Sequence, residues 1–523
     1  MANRKQLGVQ DALWLVMDRP NNLMVVDSVI WTAEPLDRDK ARAVMVERLW
    51  DRYPVFRSRA VQDPDGSWWW EEDSSTSIDD LVTYVELDDP NDPRSLQNLV
   101  AAHRTEPIDH DGPLWRVLWV DRYLGGSAIV LRSHHAMADG MRMVQLAVSL
   151  FDATPEGGAI LAPPVRHYAA STPDPSVSVA GRVRSALGSI GEQATGATRL
   201  VMTTGSETAK LTWHIPSSIV EATPSVTEAL TNPIGALQGW FNESWDSTSS
   251  AVRRVAGRIG ESAASSGPIV DVFSEAPGDL DIVRKLLLGT RNNSAAWSGS
   301  ASPDKVVAWS QTLGMPEVKA IARKRGVTIN DVLVACVAGA LRHYLEAHDD
   351  TCASVTFMVP VNLKPIELTL PEELGNSFAL VQLELPTDEP DPLRVLQIVH
   401  RRMQRIKRGR EAAVAFRIQE TIAGLNRTVY AAAVDLLANR TTGILTNVPG
   451  PPIPVYLAGC RVEGMTGWAP LSGDQPMSFT IYSYDGTISI GIACDAQLVP
   501  DHESIVDYFS QAFEELRSAV DHS

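Results

Sequence analysis

Apolar and polar residues alternate over Met24–Thr32 and again over Leu114–Ser133, the period of a half-buried strand. The second stretch reads as a hairpin whose strands, Trp115–Val120 and Ala128–Ser133, are joined through Leu124-Gly125-Gly126-Ser127. Lys40–Tyr53 carries the 3.6-residue period of an amphipathic helix, and a further helical pattern, Met141–Phe151, follows the hairpin. Residues 1–165 therefore predict one mixed α/β unit. From 166 to 304 the sequence turns to Ser, Ala, Gly, Thr and Pro, punctuated by Pro173, Pro175, Pro216, Pro224 and Pro233, and reads as a long crossover or insertion. Two short amphipathic stripes lie inside it, Val179, Val183, Leu187 and Ile190, then Val252, Val255 and Ile259 beside Arg253, Arg254 and Arg258. They suit docking on the protein's own surface or lying in a membrane interface, and Trp240, Phe241 and Trp245 add to the interfacial reading. A second α/β unit is predicted over 305–523. It opens with helix Pro316–Arg325, stopped by Gly326, and a second helix capped by Thr328 with an apolar stripe of Leu333, Val337, Leu341 and Leu345. No repeat recurs at a fixed period.

A chain of 523 residues with 44% apolar content has ample material for more than one core, which excludes a small disulfide-stapled module. A formal net charge of −18 repels a phosphate backbone, so no nucleic-acid partner is expected. Cys336, Cys352, Cys460 and Cys494 show no CxxC spacing and read as reduced thiols of a cytoplasmic protein. The apolar run Ala12–Met17 ends at Asp18-Arg19-Pro20, too short for a signal-peptide core. The longest apolar stretch, Val332–Leu341, is about half of the ~20 residues a spanning helix needs. Any contact with a membrane is therefore expected to be peripheral, on its surface.

The sharpest chemical feature is His134-His135-Ala136-Met137-Ala138-Asp139-Gly140, on a strand-to-helix turn whose neighbouring strand opens with Pro113-Leu114-Trp115. Adjacent side chains of an extended strand point to opposite faces, so one imidazole can face a cavity while the other is held in packing; His135, nearest the turn, is the candidate for the cavity. An imidazole with an unperturbed pKa of ~6.5 is mostly neutral at cytosolic pH and suits removal of a proton from an alcohol, a role worth ~10²–10⁴-fold. Asp139 suits either pairing with an arginine or the helix N-terminus, and Gly140 permits close backbone approach. So short a motif can also be read as two core or metal-binding histidines. Adjacent histidines are awkward co-ligands and no His-x₃-His or Cys partner lies nearby, so no metal is expected. A serine nucleophile at Ser133 is the runner-up chemistry, but the chain has no G-x-S-x-G elbow, and Gly375-Asn376-Ser377-Phe378-Ala379 falls one residue short. GxGxxG and P-loop patterns are absent, so no cofactor is expected.

Three further features await a function. Asn330-Asp331 lies in the first turn of the Thr328-capped helix, where local capping explains much of it. Asn447-Val448-Pro449-Gly450-Pro451 follows the strand-like Gly443–Leu445 and suits a type II turn centred on Pro449 and Gly450. The run from His400 to Arg410 is densely basic; it reads as a solvated helix face, or, through Arg401, Arg402 and Arg405, as a site for phosphates or anionic headgroups.

HHAMADG matches the HHxxxDG motif of the coenzyme-A-dependent acyltransferase superfamily. With PLW before it and ND and NVPGP after it, nearly the whole chain outside the insertion resembles the bacterial wax ester synthase/diacylglycerol acyltransferase family. HHxxxDG alone also occurs in chloramphenicol-acetyltransferase-like enzymes and peptide-synthetase condensation domains; the ordered set of four motifs is far more specific, and nothing like the DFGWG latch of the chloramphenicol type is present. Thr446 stands where serine is common in the family. The resemblance implies an α/β (α+β) fold of two chloramphenicol-acetyltransferase-like domains forming a pseudo-dimer with a central tunnel. It implies acyl-CoA as substrate and diacylglycerol or a long-chain alcohol as acceptor, giving triacylglycerol or wax ester by direct transfer. By the same resemblance His135 is the general base, His134, Asp139 and Gly140 support the loop, and Pro113, Leu114, Trp115, Asn330, Asp331, Asn447, Pro449 and Gly450 line the tunnel or site. The readings from other classes are a non-catalytic lipid-binding or scaffold protein of the same fold, and a condensation-type enzyme that uses carrier-bound thioesters.

Overall fold

The computed structural model describes residues 4–160, 295–362, 370, 374, 376, 378–408 and 438–523. The two amphipathic stripes of the crossover lie outside the described residues. Strands β1 (Arg4–Gln6), β2 (Val25–Thr32), β3 (Ser58–Gln62), β4 (Trp68–Glu72), β5 (Val82–Val85), β6 (Trp115–Tyr123), β7 (Gly126–His134), β8 (Asp152–Thr154) and β9 (Gly157–Ala159) come from the first half. The second half supplies β10 (Lys305–Trp309), β11 (Leu313–Gly314), β12 (Ser354–Asn362), β13 (Phe378–Pro386), β14 (Gly443–Pro449), β15 (Tyr456–Leu457), β16 (Cys460–Trp468), β17 (Met477–Tyr484) and β18 (Thr487–Asp495). Helices α1 (Val9–Met17), α2 (Arg38–Met45), α3 (Pro93–Arg104) and α4 (Gly140–Ser149) precede the crossover; α5 (Met315–Arg325), α6 (Ile329–Ala347), α7 (Pro392–Arg408) and α8 (Glu503–Asp521) follow it.

The hairpin expected around Leu124-Gly125 forms, with both turn residues at positive φ (51° and 92°), the mirror-image turn that matches strand twist. Its register sets Trp115 opposite Ser133 and carries β7 to His134. The helix expected over Lys40–Tyr53 is shorter as an α-helix. It gives way at Val46–Trp50 to a wider π turn, and this turn carries the buried Arg48, bonded to the Leu150 and Phe151 carbonyls and to Asp152. Helix α5 ends on Gly326 at φ 67°, and α6 begins at Thr328 with the reciprocal Thr328–Asp331 capping box.

Two large sheets result, in the orders β5-β6-β7-β2-β16-β15-β8-β9 and β10-β18-β17-β14-β12-β13, with β11 beside β18. The first is not made by residues 1–165 alone: β15 and β16 belong to the second half, and β16 pairs antiparallel with β2, Met465 opposite Ile30. A boundary at 305 therefore divides the chain but not the hydrogen-bonded sheets. A hydrophobic core joins the halves, with Val29, Leu96, Val100, Leu118, Val120 and Val130 packed with Val307, Trp468 and Ala493. Trp309 lies between Trp31 and Trp468, at ring separations of 6.1 and 5.7 Å.

The type II turn expected at Pro449-Gly450 does not form. Strand β14 runs through Pro449, parallel to β17, and Gly450 is not at positive φ. The parallel contact with β12 ends by Ile444, so a residue without an N–H costs no ladder bond on that side. Gly450 serves close approach instead: its amide donates to the Ser483 carbonyl at 2.8 Å, and an added Cβ would lie 2.3 Å from that oxygen.

Beneath the first sheet a buried carboxylate, Asp27 on β2, bonds Arg104 Nη1 at 2.6 Å and Arg132 Nε at 3.0 Å. Burial pulls the Arg104 guanidinium below its ordinary pKa, which Asp27 opposes. Removing one partner of such a group strands the others in low dielectric. Asp27→Ala is expected to destabilise the protein by roughly 3–5 kcal/mol in denaturant unfolding, against a small effect for the exposed Asp79→Ala.

Candidate active site

Strand β7 lies between β6 and β2, and its end is fixed from both sides: His134 N donates to the Leu114 carbonyl at 2.9 Å and His135 N to the Met24 carbonyl at 2.8 Å. The turn that follows packs Ala136, Met137 and Ala138 into the core. Asp139 is the N-cap of α4 and accepts from the Arg142 amide at 2.9 Å, which places it at the helix N-terminus. A Cβ on Gly140 would meet nothing within 4 Å.

The two histidines do different things. His134 is fully buried; its Nδ1 accepts from the Ala136 amide at 3.1 Å, which places the ring proton on Nε2, 3.2 Å from Asp18 Oδ2. The same oxygen lies 3.2 Å from His110 Nε2. Burial works to raise the Asp18 carboxyl, but hydrogen bonds from His110, His134 and the Met24 amide outweigh it and hold it well below the usual carboxylate range. Asp18, His110 and His134 are close enough together to suggest a metal. The tautomer argues otherwise, because a metal on Nε2 would move the ring proton to Nδ1, against the Ala136 N–H.

His135 is 7% exposed and its Nδ1 is buried without a hydrogen-bond partner. Trp14 of α1 stacks on it, ring centroids 3.9 Å apart and 21° between planes, and Phe378 lies 5.9 Å away. Burial, supplemented by the neighbouring His134, pushes the imidazole down to about 4, so it is neutral at neutral pH. The central tunnel implied by the resemblance would have to open at this nearly enclosed ring. Asn376, from the segment before β13, donates Nδ2 to the His135 carbonyl at 3.1 Å and to Asp11 Oδ1 at 2.7 Å. Ser133 Oγ is buried with no hydrogen-bond partner, so it is not joined to a base as an activated nucleophile must be.

The remaining motif residues fall into two groups. Leu114 and Trp115, which follow Pro113, are fully buried in the hydrophobic core, with Trp115 Nε1 donating to the Phe56 carbonyl. Asn330 and Asn447 meet directly, Nδ2 of Asn447 donating to Oδ1 of Asn330 at 2.8 Å. Beside them Asp331 takes His400 Nδ1 of α7 at 2.7 Å as well as its own capping bond. In the basic run, Arg402 is committed to β13, bonding the Glu384 carbonyl at 2.9 Å and its carboxylate at 3.4 Å, whereas Arg401 and Arg405 are exposed one turn apart. Trp14, Asp11, Asp18, His110 and Asn376 escaped sequence reasoning, since they meet His134, His135 or one another from other parts of the chain; the one visible signal was the acidic residue closing the apolar run at Asp18.

Residues 7–258 match the family model of the wax ester synthase/diacylglycerol acyltransferase catalytic domain, and residues 374–517 that of the WS/DGAT C-terminal domain. A putative diacylglycerol O-acyltransferase of Mycobacterium tuberculosis is 26% identical over 495 residues, 92% of this chain and 89% of that one. The O-acyltransferase WSD of Acinetobacter baylyi is 22% identical over 454 residues, covering 84% and 81%. Among solved structures, the wax ester synthase/diacylglycerol acyltransferase from Marinobacter aquaeolei VT8 superposes with a TM-score of 0.61 at 18% identity over 99% of this chain and all of that one. The first condensation domain of the calcium-dependent antibiotic synthetase gives 0.54 at 14% identity, covering 100% and 99%, a likeness of fold. With both family models matched in order across a two-domain α/β fold, the chain belongs to the wax ester synthase/diacylglycerol acyltransferase family, and is an O-acyltransferase.

Proposed function

We propose that the chain transfers the acyl group of acyl-CoA to the hydroxyl of a diacylglycerol or a long-chain alcohol, with His135 as the general base. The observation that carries this reading is a neutral, nearly enclosed imidazole at the end of the HHAMADG strand. With Nδ1 shut away, Nε2 is the nitrogen for the incoming hydroxyl. It takes the proton as the oxygen attacks the thioester carbonyl. When the tetrahedral intermediate collapses, the C–S bond breaks and the thiolate of CoA recovers that proton from the imidazolium. Burial that keeps the ring neutral also makes its imidazolium a ready acid, which suits the second half of the cycle. The step needs no cofactor and forms no covalent enzyme intermediate. His134, Asp139 and the turn between them hold the ring in place.

Arg401 and Arg405 project from the same helix as His400, whose ring meets Asp331 beside the Asn330–Asn447 pair. That position supports a role for them toward the phosphates of CoA. Because the acceptors are lipids, the reading includes peripheral contact with a membrane or lipid-droplet surface; no described helix is long and apolar enough to cross a bilayer.

Incubation with acyl-CoA and both acceptors, followed by lipid extraction, is expected to show ester from the parent and a loss of at least ~10²-fold in kcat for His135→Ala. Ester formed at equal rates would end the base role of His135, and no ester from the parent with either acceptor would leave a lipid-binding role. Activity only with carrier-bound thioesters would favour condensation-type chemistry, to which the fold likeness also points. The acid limb of kcat/KM is expected near pH 4, since a base whose pKa is lowered stays neutral until the pH falls through that value; a limb near 6.5 would mean a solvated ring. Neutralising Arg401 and Arg405 together with glutamine is expected to raise the KM for acyl-CoA, and unchanged kinetics would dismiss the phosphate role.

A further inference from the structure

Among the described residues, Nδ1 of His135 and Oδ1 of Asn376 are buried side by side in the site's polar network without a hydrogen-bond partner. If Nε2 is to act as base, Nδ1 carries the ring proton and is a donor. The Asn376 oxygen can only accept, and the amide's orientation is not arbitrary, because its nitrogen faces two acceptors, Asp11 Oδ1 at 2.7 Å and the His135 carbonyl at 3.1 Å. Asp11 takes the Asn376 backbone amide as well, at 3.0 Å, so one carboxylate oxygen grips this residue twice. The carboxamide is thus held against His135 with its acceptor free.

We propose that Asn376, anchored by Asp11, is the positioning residue of this site: its carboxamide oxygen accepts the Nδ1–H of His135, fixing Nε2 toward the hydroxyl and supporting the imidazolium formed when the proton is taken. The inference rests on the base role of His135 given above. A bond left open in the free enzyme and closed as substrate docks is ordinary for catalytic pairs. An orphaned donor and an orphaned acceptor would satisfy each other, and each costs free energy while buried alone. The side chain of Asn376 already favours the charged form of the ring against the dominant effect of burial, as does the ring's own carbonyl, which is the competing partner for Nδ1. Among the described residues, the charged and titratable groups around the ring are the adjacent His134, Asp11 on α1, Asp18 just past the end of α1, His110 before β6, and Asp139, whose charge adds to burial in raising Asp11.

The test exchanges the pair. Asn376→Asp combined with Asp11→Asn keeps one carboxylate in the pair and moves it against the imidazole. An opposite charge within hydrogen-bond reach raises a pKa by roughly one to three units, so the acid limb of kcat/KM is expected to move up by that much. An unmoved limb in a folded, active exchange variant overturns the proposal and leaves the ring's own carbonyl as the Nδ1 partner. Asn376→Leu is expected to lower kcat, by up to about 100-fold, with the KM for acyl-CoA unchanged, and a parent-like kcat overturns it. Neither variant is needed for the third measurement. In ¹⁵N-histidine spectra of the parent, with the His135 signal assigned by its absence in His135→Ala, the Nδ1–H tautomer is expected and the Nε2–H tautomer overturns the proposal. Ester formation by His135→Ala at the parent rate would defeat the base role itself, a result separate from any of these.

Discussion

The site depends on two backbone hydrogen bonds at one end of β7, from His134 to Leu114 and from His135 to Met24. They hold the strand between two neighbours up to its last residue, so that the chain leaves the sheet at a fixed point with the two imidazoles on opposite sides. Everything downstream inherits that placement. The turn Ala136–Ala138 is small and apolar enough to be buried whole, and Asp139 then starts α4 by capping it.

Opposite sides mean opposite chemistry. His134 is a structural donor, its proton on Nε2 because Nδ1 is spent on the Ala136 amide, with Asp18 kept ionised by the donors around it. Among the described residues His135 has no ionised partner at hydrogen-bond distance from its ring, and burial, with Trp14 covering one of its faces, keeps it neutral. One short helix, α1, with the Asp18 that caps its end, serves both rings: Asp18 meets the first, Trp14 the second, and Asp11 reaches the second through Asn376.

The halves are tied by more than a shared interface. Strand β16 completes the first sheet, the tryptophans at 31, 309 and 468 pack across the junction, and Asn376 crosses from the second half to the carbonyl of His135. A single first-half domain would lack both an edge partner for β2 and one wall of the site. The buried charges nearby, Asp27 with Arg104 and Arg132, and Asp495 with Lys305, are each paired, as low dielectric demands.

Local pattern was enough for the hairpin, for the helix stopped at Gly326, for the capping box at Thr328 and for the HHAMADG turn, because periodicity, caps and turn residues act within a few positions of one another. It misjudged Pro449-Gly450, where proline and glycine suggest a turn but a parallel neighbour extends the strand and glycine is needed for a carbonyl 2.3 Å from any added Cβ. It was silent on Trp14, Asp11 and Asn376. Those residues acquire meaning from contacts across hundreds of positions, which no local period encodes. Thus the sequence by itself determined which imidazoles end the strand and what family they announce; tertiary structure decided what each of them bonds to and which is held below its ordinary pKa, because burial and hydrogen-bond partners are properties of neighbours in space.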